Sequence, residues 1–308
     1  EFAQTEDDVI DNVRQAFLVL LANKEFLEVA RFRVRLQEGT VEMARAQEEE
    51  GFAPRADVVK AESALAAAQL DVTSAENAVA LSRVALSEAM GIDVRTDYEV
   101  VGPPEPEPVE LTQDELLTGA MDGRPEVLAA RARADAADAG LKAAAKAHKP
   151  SLSASGSYGW REYNFPPSLD YWNLGVSLDL NVFDGWLSEG RKKQARAQRD
   201  AARDTIYLTE QRVAQEVVQA FLDLRAAEEQ IVSAQASIAS ADEDLRLAQG
   251  RYAENVGILL EVLDAQTALT AAQADLVQAR FLRASARYAL ERAIGASLTE
   301  LTGEEATE

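Results

Sequence analysis

Two carboxylates, Glu261 and Asp264, have a spacing that suggests a task. They stand three residues apart in a helical run, so they share one helix face, and they follow a chain reversal at "YAENVGILLE". Acidic groups held on one face attract cations; an ordinary solvated pair is the other reading of the same spacing. The remaining helical carboxylates read as solvated faces. No catalytic set accompanies them. Cysteine is absent, which removes disulfides, thiolate metal sites and cysteine nucleophiles. The single histidine, His148 in "AAKAHKPS", leaves no multi-histidine metal centre and reads as a polar residue near a helix end. No phosphate loop of the GxxxxGK[ST] kind is present. An enzyme is therefore not expected, and neither a metal nor a cofactor is assigned.

The elements that carry these residues repeat. Shifted by 204 residues, the chain falls on itself without a gap: "QAFLVL" from Gln15 meets "QAFLDL" from Gln219, and Arg83, Leu86 and Gly91 meet Arg287, Leu290 and Gly295. This reads as a duplication. Each half is a pair of long helices. In the second half Val213, Val217, Ala220, Leu224, Ala227, Ile231 and Ala234 step by four and three, and the run continues to Ala248. Val9 to Ala44, Val58 to Ala89 and Val262 to Ala293 do the same, the last interrupted at Arg283. A sustained heptad means coiled-coil packing. One of its two positions is nearly always alanine, so the helices can approach closely. A helix from about Leu187 to Gly250 would span roughly 95 Å at ~1.5 Å per residue. The reversals fall at "EEEGFAPRAD" and "YAENVGILLE", helped by Gly51, Pro54 and Gly257. A Pro- and Glu-rich linker, "DVRTDYEVVGPPEPEPVE", separates the halves and is followed by shorter helices up to Pro150.

One segment breaks the helical pattern. In "LGVSLDLNVFDG" (residues 174–185) Leu174, Val176, Leu178, Leu180 and Val182 alternate with small or polar residues. Upstream, "SLSASGSYGW" (residues 151–160) alternates in the same way. Period two predicts two strands, each with one apolar and one wet face. About ten tilted residues make one bilayer crossing in a barrel. Around the joining loop stand Tyr158, Trp160, Tyr163, Phe165, Tyr171 and Trp172, as aromatics do in a membrane-interface girdle. A lone hairpin has two unpaired edges, which lipid cannot satisfy. In a membrane it must close a barrel with strands from other subunits, so the reading requires an oligomer, and Ser177, Asp179 and Asn181 then face a watery lumen. The soluble alternative is a hairpin packed on a helix.

Composition narrows the partners. Apolar residues are 47% of the 308 and aromatics only 6%, which favours elements packed along small side chains over one thick core. A formal charge of −22 argues against nucleic acid and against anionic lipid headgroups. No apolar run approaches the ~20 residues of a spanning helix.

Together these features resemble the TolC-like outer-membrane factor family over nearly the whole chain. The carrying stretches are "GFAPRADVVKAESALAAAQ", "RPEVLAARARADAADAGLKAAAKAHKPSLSASGSY", "LGVSLDLNVFDGW", "EVLDAQTALTAAQADLVQAR" and the terminal "ALERAIG". The resemblance implies a mainly α fold: long antiparallel coiled-coil helices forming a trimeric α-barrel, a short β-hairpin contributing to a transmembrane β-barrel, and an internal duplication. It implies a homotrimer in the outer membrane of a Gram-negative bacterium, reaching into the periplasm. Such a protein is a passive exit duct of a tripartite efflux pump or a type I secretion system for drugs, metals or proteins. Its partners would be a periplasmic adaptor and an inner-membrane transporter. The competing class is a structural periplasmic coiled coil or adaptor-like protein with a soluble hairpin.

On this resemblance the chain divides into a first helical hairpin (1–92), a linker with equatorial helices (93–150), the strand pair (151–185), a second helical hairpin (186–295) and a tail (296–308). Each half of a family member carries its own strand pair, yet the 204-residue shift puts the first pair upstream of residue 1. The native protein is therefore expected to begin some tens of residues earlier. Glu261 and Asp264 match acidic positions that ring the family's periplasmic entrance, and in a threefold assembly each becomes a ring of three carboxylates favouring cations. The family's gate tends to carry Arg and Ser/Thr after the turn glycine, whereas Gly257 is followed by Ile258, Leu259 and Leu260. Arg55 with Asp57, or Arg251, are the candidates to replace that latch. Phe52, Ile258 and Leu259 are either an exposed patch that docks the adaptor or the packing between the two turns.

Overall fold

The computed structural model describes residues 2–102, 112–161, 169–296 and 298. Among them eight elements follow in order: α1 (Phe2–Glu49), α2 (Arg55–Met90), α3 (Gln113–Gly123), α4 (Pro125–Ala144), β1 (Ser151–Arg161), β2 (Leu169–Asp179), α5 (Leu187–Ala253) and α6 (Leu259–Ile294). The chain forms two compact units, residues 1–125 with 213–308, and residues 126–212. No described helix is long and apolar enough to cross a membrane.

In the first unit the alanine heptads do the packing. Val213, Val217, Ala220, Leu224, Ala227, Ile231, Ala234, Leu245 and Ala248 of α5 are buried, as are Val58, Ala61, Ala68 and Leu86 of α2 and Val262, Ala265, Leu269, Ala272 and Leu290 of α6. Near the helix reversals one cluster joins all four long helices through Val41, Ala44, Val58, Ala61, Tyr252, Leu259 and Leu269. The α1–α6 contact there includes a buried amide: Gln266 Nε2 donates to Thr40 Oγ1 at 2.8 Å and to the Leu36 carbonyl at 3.2 Å. A polar group at such a seam fixes register, because any slip leaves it unpaired.

The duplication is visible in backbone detail. Helices α2 and α6 are both 36 residues long, and both end at a left-handed glycine, Gly91 and Gly295. The two reversals share one hydrogen-bond pattern. The N–H groups of Phe52 and Ala53 donate to the Gln47 carbonyl, as those of Val256 and Gly257 donate to that of Arg251. The positive-φ positions are Gly51 (φ 81°) and Asn255 (φ 62°). Gly257, singled out by sequence, has a different reason to be small: a Cβ there would lie 3.0 Å from Arg251 Cβ and 3.1 Å from the Tyr252 nitrogen.

Between the halves, Tyr98 folds the linker back on α2. Its hydroxyl donates to the Arg83 carbonyl at 2.9 Å, and the Arg83 guanidinium lies 4.8 Å from its ring centre. Helix α3 opens with a capping box, Thr112 and Glu115 satisfying each other's backbone N–H. Just beyond it, the buried Arg124 donates to the Arg292 and Ala293 carbonyls at 3.0 and 3.1 Å and meets Glu216 at 2.7 Å. These contacts cap the C-terminus of α6, where cations are favoured.

The second unit holds α4, the hairpin and the first part of α5. Arg131 pairs with Glu210 at 3.2 Å, and Asp138 with Arg203 at 3.0 Å and Arg199 at 3.8 Å, tying α4 to α5. Strands β1 and β2 pair antiparallel with Ser151 opposite Asp179 and Arg161 opposite Leu169. The alternation in the sequence runs on to Val182, but the ladder stops at Asp179. The strand opposite begins at Ser151, directly after Pro150, and offers nothing further to pair with.

Candidate functional site

Within the hairpin, residues directly opposite share a face. Leu152, Ala154, Gly156 and Tyr158 therefore lie with Leu178, Val176, Leu174 and Trp172. Leu152, Leu174, Val176 and Leu178 are 69–73% exposed, and Trp172 is 76% exposed. Among the described residues of this unit, none covers that apolar face. The opposite face is polar: Ser153 and Ser177 meet Oγ to Oγ at 2.8 Å, and Ser151 stands across from Asp179.

The expected aromatic girdle divides. Tyr158 and Trp172 lie on the apolar face. Tyr171 does not: it is on the serine face, its ring across Gly159, where an added Cβ would come within 2.8–3.0 Å of the phenol. Tyr163 and Phe165 lie outside the described residues, as does the side chain of Trp160. A second aromatic pair, which the sequence reading passed over, stands at the opposite end of the strands. Phe183 and Trp186 meet edge to face with centroids 6.4 Å apart, both 74% exposed. The signal was present as the third tryptophan, in "VFDGWL".

That end is shaped by a sharp connection. Gly185 and Trp186 are both left-handed, at φ 66° and 71°, a conformation costly for a bulky residue. They swing the Asp184 carboxylate over the start of α5, where it accepts from the Ser188 N–H at 2.9 Å and from the Ser188 hydroxyl. His148 Nδ1 lies 3.3 Å from the Asn181 carbonyl, closing one side of an open cleft of about 520 Å³. Asn181, expected among lumen-facing strand residues, thus sits beyond the end of β2.

In the other unit, the reversals place the remaining site residues. Arg251 Nη1 lies 3.6 Å from Glu261 Oε2. Asp264 is exposed and has no ion pair among the described residues. Asp57 is mostly covered and lies 4.0 Å from Lys60, and Arg55 is exposed. The apolar trio separates: Phe52 (62%) and Ile258 (59%) are exposed, but Leu259 (2%) faces the core, because it opens α6 on the same face as Val262. Val256, equivalent to Phe52 in the second reversal, is exposed instead. The amide of Gln47 donates to the Ala253 carbonyl at 3.2 Å, holding the two reversals side by side. Beneath them, Tyr252 is buried, and burial more than the nearby Asp57 pushes its hydroxyl above the usual phenol range. Among the described residues no group of three or more His, Cys, Asp or Glu could hold a metal ion.

Comparison with known proteins agrees with this architecture. Residues 116–296 match the family described as outer membrane efflux protein. The probable efflux pump outer membrane protein TtgC of Pseudomonas putida is 24% identical over 312 aligned residues, covering 97% of this chain and 63% of that protein. Outer membrane protein OprJ of Pseudomonas aeruginosa is 31% identical over 195 residues, 61% of this chain and 40% of OprJ. The chain thus spans less than two thirds of the length of these curated relatives. The crystal structure of the outer membrane protein VceC from Vibrio cholerae shares the fold, with a TM-score of 0.76 at 20% identity, over 95% of this chain and 71% of that one.

Proposed function

Because this chain belongs to the outer membrane efflux protein family, we propose that the intact protein is a passive exit duct of the outer membrane. The observation that carries the reading is the hairpin: one face that is apolar and uncovered from Leu152 and Leu178 to Tyr158 and Trp172, one serine-rich face, and two open edges. Water disfavours the first and lipid forbids the last. The arrangement is satisfied when the edges pair with strands from other copies or other segments into a closed barrel, apolar side to lipid and serine side to a lumen. In this reading the protein is a homotrimer. Residues 1–92 and 186–295 supply the wall of a helical barrel in the periplasm, 93–150 a belt around it, 151–185 the barrel strands and 296–308 a tail.

The reversals are the periplasmic entrance. Glu261 and Asp264 form acidic rings that favour cations, and Arg251 is the latch on the first of them. Phe52, Val256 and Ile258 are the contact for a periplasmic adaptor, which links the duct to an inner-membrane transporter that supplies the energy. Small organic molecules, drugs among them, are the exported class: the relatives' names include an antibiotic efflux pump, a toluene efflux pump and a pyoverdine exporter.

Planar-bilayer recording of the intact protein tests this. Stepwise, cation-preferring currents are expected. Electrical silence, together with a water-soluble monomer whose hairpin lies against its own helices, would reject the duct in favour of a coiled-coil rod.

A further inference from the structure

We propose that the end of the hairpin next to Pro150 and Gly185 carries a basic collar that binds the headgroups of anionic phospholipids. The proposal rests on reading the apolar hairpin face as lipid-facing, and it revises what the net charge suggested. The charge of the chain is segregated. From Lys142 to Asp200 there are nine Lys or Arg against six Asp or Glu, while the rest of the chain has 22 against 47.

The cations at this end are also available. Lys142, Lys146, Lys149, Arg191, Lys193 and Arg196 are exposed, and none makes an ion pair among the described residues. The acids beside them are engaged. Glu189 pairs with Lys192 at 3.5 Å, Asp138 with Arg199 and Arg203, Asp200 with Arg199 at 2.7 Å, and Asp184 is held by Ser188. Asp179 points to the serine face, away from the lipid side.

The same end presents apolar groups with no role in the fold of the unit. Val182, Phe183 and Trp186 are 83%, 74% and 74% exposed, and Trp186 stands in a strained left-handed conformation. A side chain that is neither buried nor relaxed is accounted for by a surface outside the chain. Aromatic and aliphatic groups beside lysines and arginines match the boundary between acyl chains and phosphates. Lys146 and Lys149 precede the strands directly, and Arg191 and Lys193 lie in the first two turns of α5. At ~1.5 Å per residue Arg191 and Lys193 lie roughly 6 and 9 Å along α5 from its start, within about one Debye length of it; Lys146 and Lys149 stand five and two residues before β1. Cations spread over the end of α4, the turn after it and the start of α5 fit a layer of headgroups better than a single oxyanion, and the exposed Phe183–Trp186 pair requires a ligand with an apolar part.

In the intact protein every tryptophan except Trp186 is replaced by Phe, Trp160 and Trp172 included, so that Trp186 alone reports. Inserted into vesicles, its fluorescence is quenched by brominated lipid at equal mole fraction of either headgroup. Quenching by the brominated anionic lipid should exceed that by the zwitterionic one about ten-fold. The preference should fall to parity in the variant Lys146→Gln, Lys149→Gln, Arg191→Gln, Lys193→Gln, whose quenching by the zwitterionic lipid should be unchanged. Millimolar inorganic phosphate should not alter the preference. Equal quenching by both lipids in the unaltered collar overturns the collar and leaves the membrane reading standing. Quenching by neither overturns both. Loss of preference in phosphate marks a free-oxyanion site and overturns the lipid assignment.

Discussion

Asn255 holds in the second helix reversal the left-handed conformation that Gly51 holds in the first, 204 residues earlier, with φ of 62° and 81°. Asparagine tolerates this region and glycine occupies it without strain. Asn255→Gly should leave stability unchanged or slightly raised, while Asn255→Val should lower it by about 1–2 kcal/mol. At Gly257 the ranking has another origin, and Gly257→Ala should destabilise by crowding Arg251 and Tyr252. Denaturant unfolding of the three variants checks both; equal effects of Val and Gly at 255 would show that the turn does not depend on φ.

Arg251 and Glu261 are joined by an ion pair that is largely open to solvent. Such pairs contribute little stability, about 0–1 kcal/mol, so the expected consequence is electrostatic. Glu261→Gln with Asp264→Asn should lower the cation-to-anion permeability ratio of the reconstituted duct. Arg251→Gln should raise it by uncovering Glu261. Reversal-potential measurements in a salt gradient read both signs, and no change in either variant would remove these residues from the permeation path.

Tyr171 and Trp172 are neighbours in sequence on opposite faces of the hairpin. These 308 residues contain no cysteine, so with any cysteine elsewhere in the intact protein replaced by serine, single cysteines report cleanly. Tyr171→Cys should react with a charged, water-soluble thiol reagent in the membrane-inserted protein, and Trp172→Cys should be protected. The reverse pattern would mean that the register or the lipid side is wrong.

Glu291 near the end of α6 sits between Arg14 and Arg287, at 3.7 and 3.9 Å. Burial raises its carboxyl above the ordinary value of 4.5 in spite of both arginines. A raised carboxyl value means that the folded state holds the proton more tightly than the unfolded chain. Its contribution to stability is full below the unfolded value and is lost as pH climbs through the folded one. Glu291→Gln cannot lose a proton, so its Tm relative to the parent should rise between pH 4 and pH 7. A constant difference across that range would show that Glu291 titrates as it does in the unfolded chain.

The helices were legible because packing at a heptad seam writes itself into spacing: the stripe from Val213 to Ala234 is buried as read. The hairpin was legible through alternation, and parity alone separates Tyr171 from Trp172, although clustering along the chain hid it. The end of β2 was not legible, since alternation describes one strand and a ladder needs two. The reversals were read from glycine, which drew attention to Gly257; Asn255 emerges only when the halves are superposed. Leu259 looked like part of an apolar tip because three apolar residues stand in a row, and which of them turns inward depends on where α6 begins. The single figure of −22 concealed the basic collar, because a sum over the chain carries no position.

The matched 36-residue helices α2 and α6 limit how such a chain can change length. Removing seven residues from α1 and seven from α2 would shorten one arm by about 10 Å and leave its twin standing proud. The rim would then be stepped, and the Gln47–Ala253 tie between neighbouring tips would be broken. Insertions and deletions in one half are therefore tolerable only when mirrored in the other, so the two halves are bound to a common ruler however far their side chains drift.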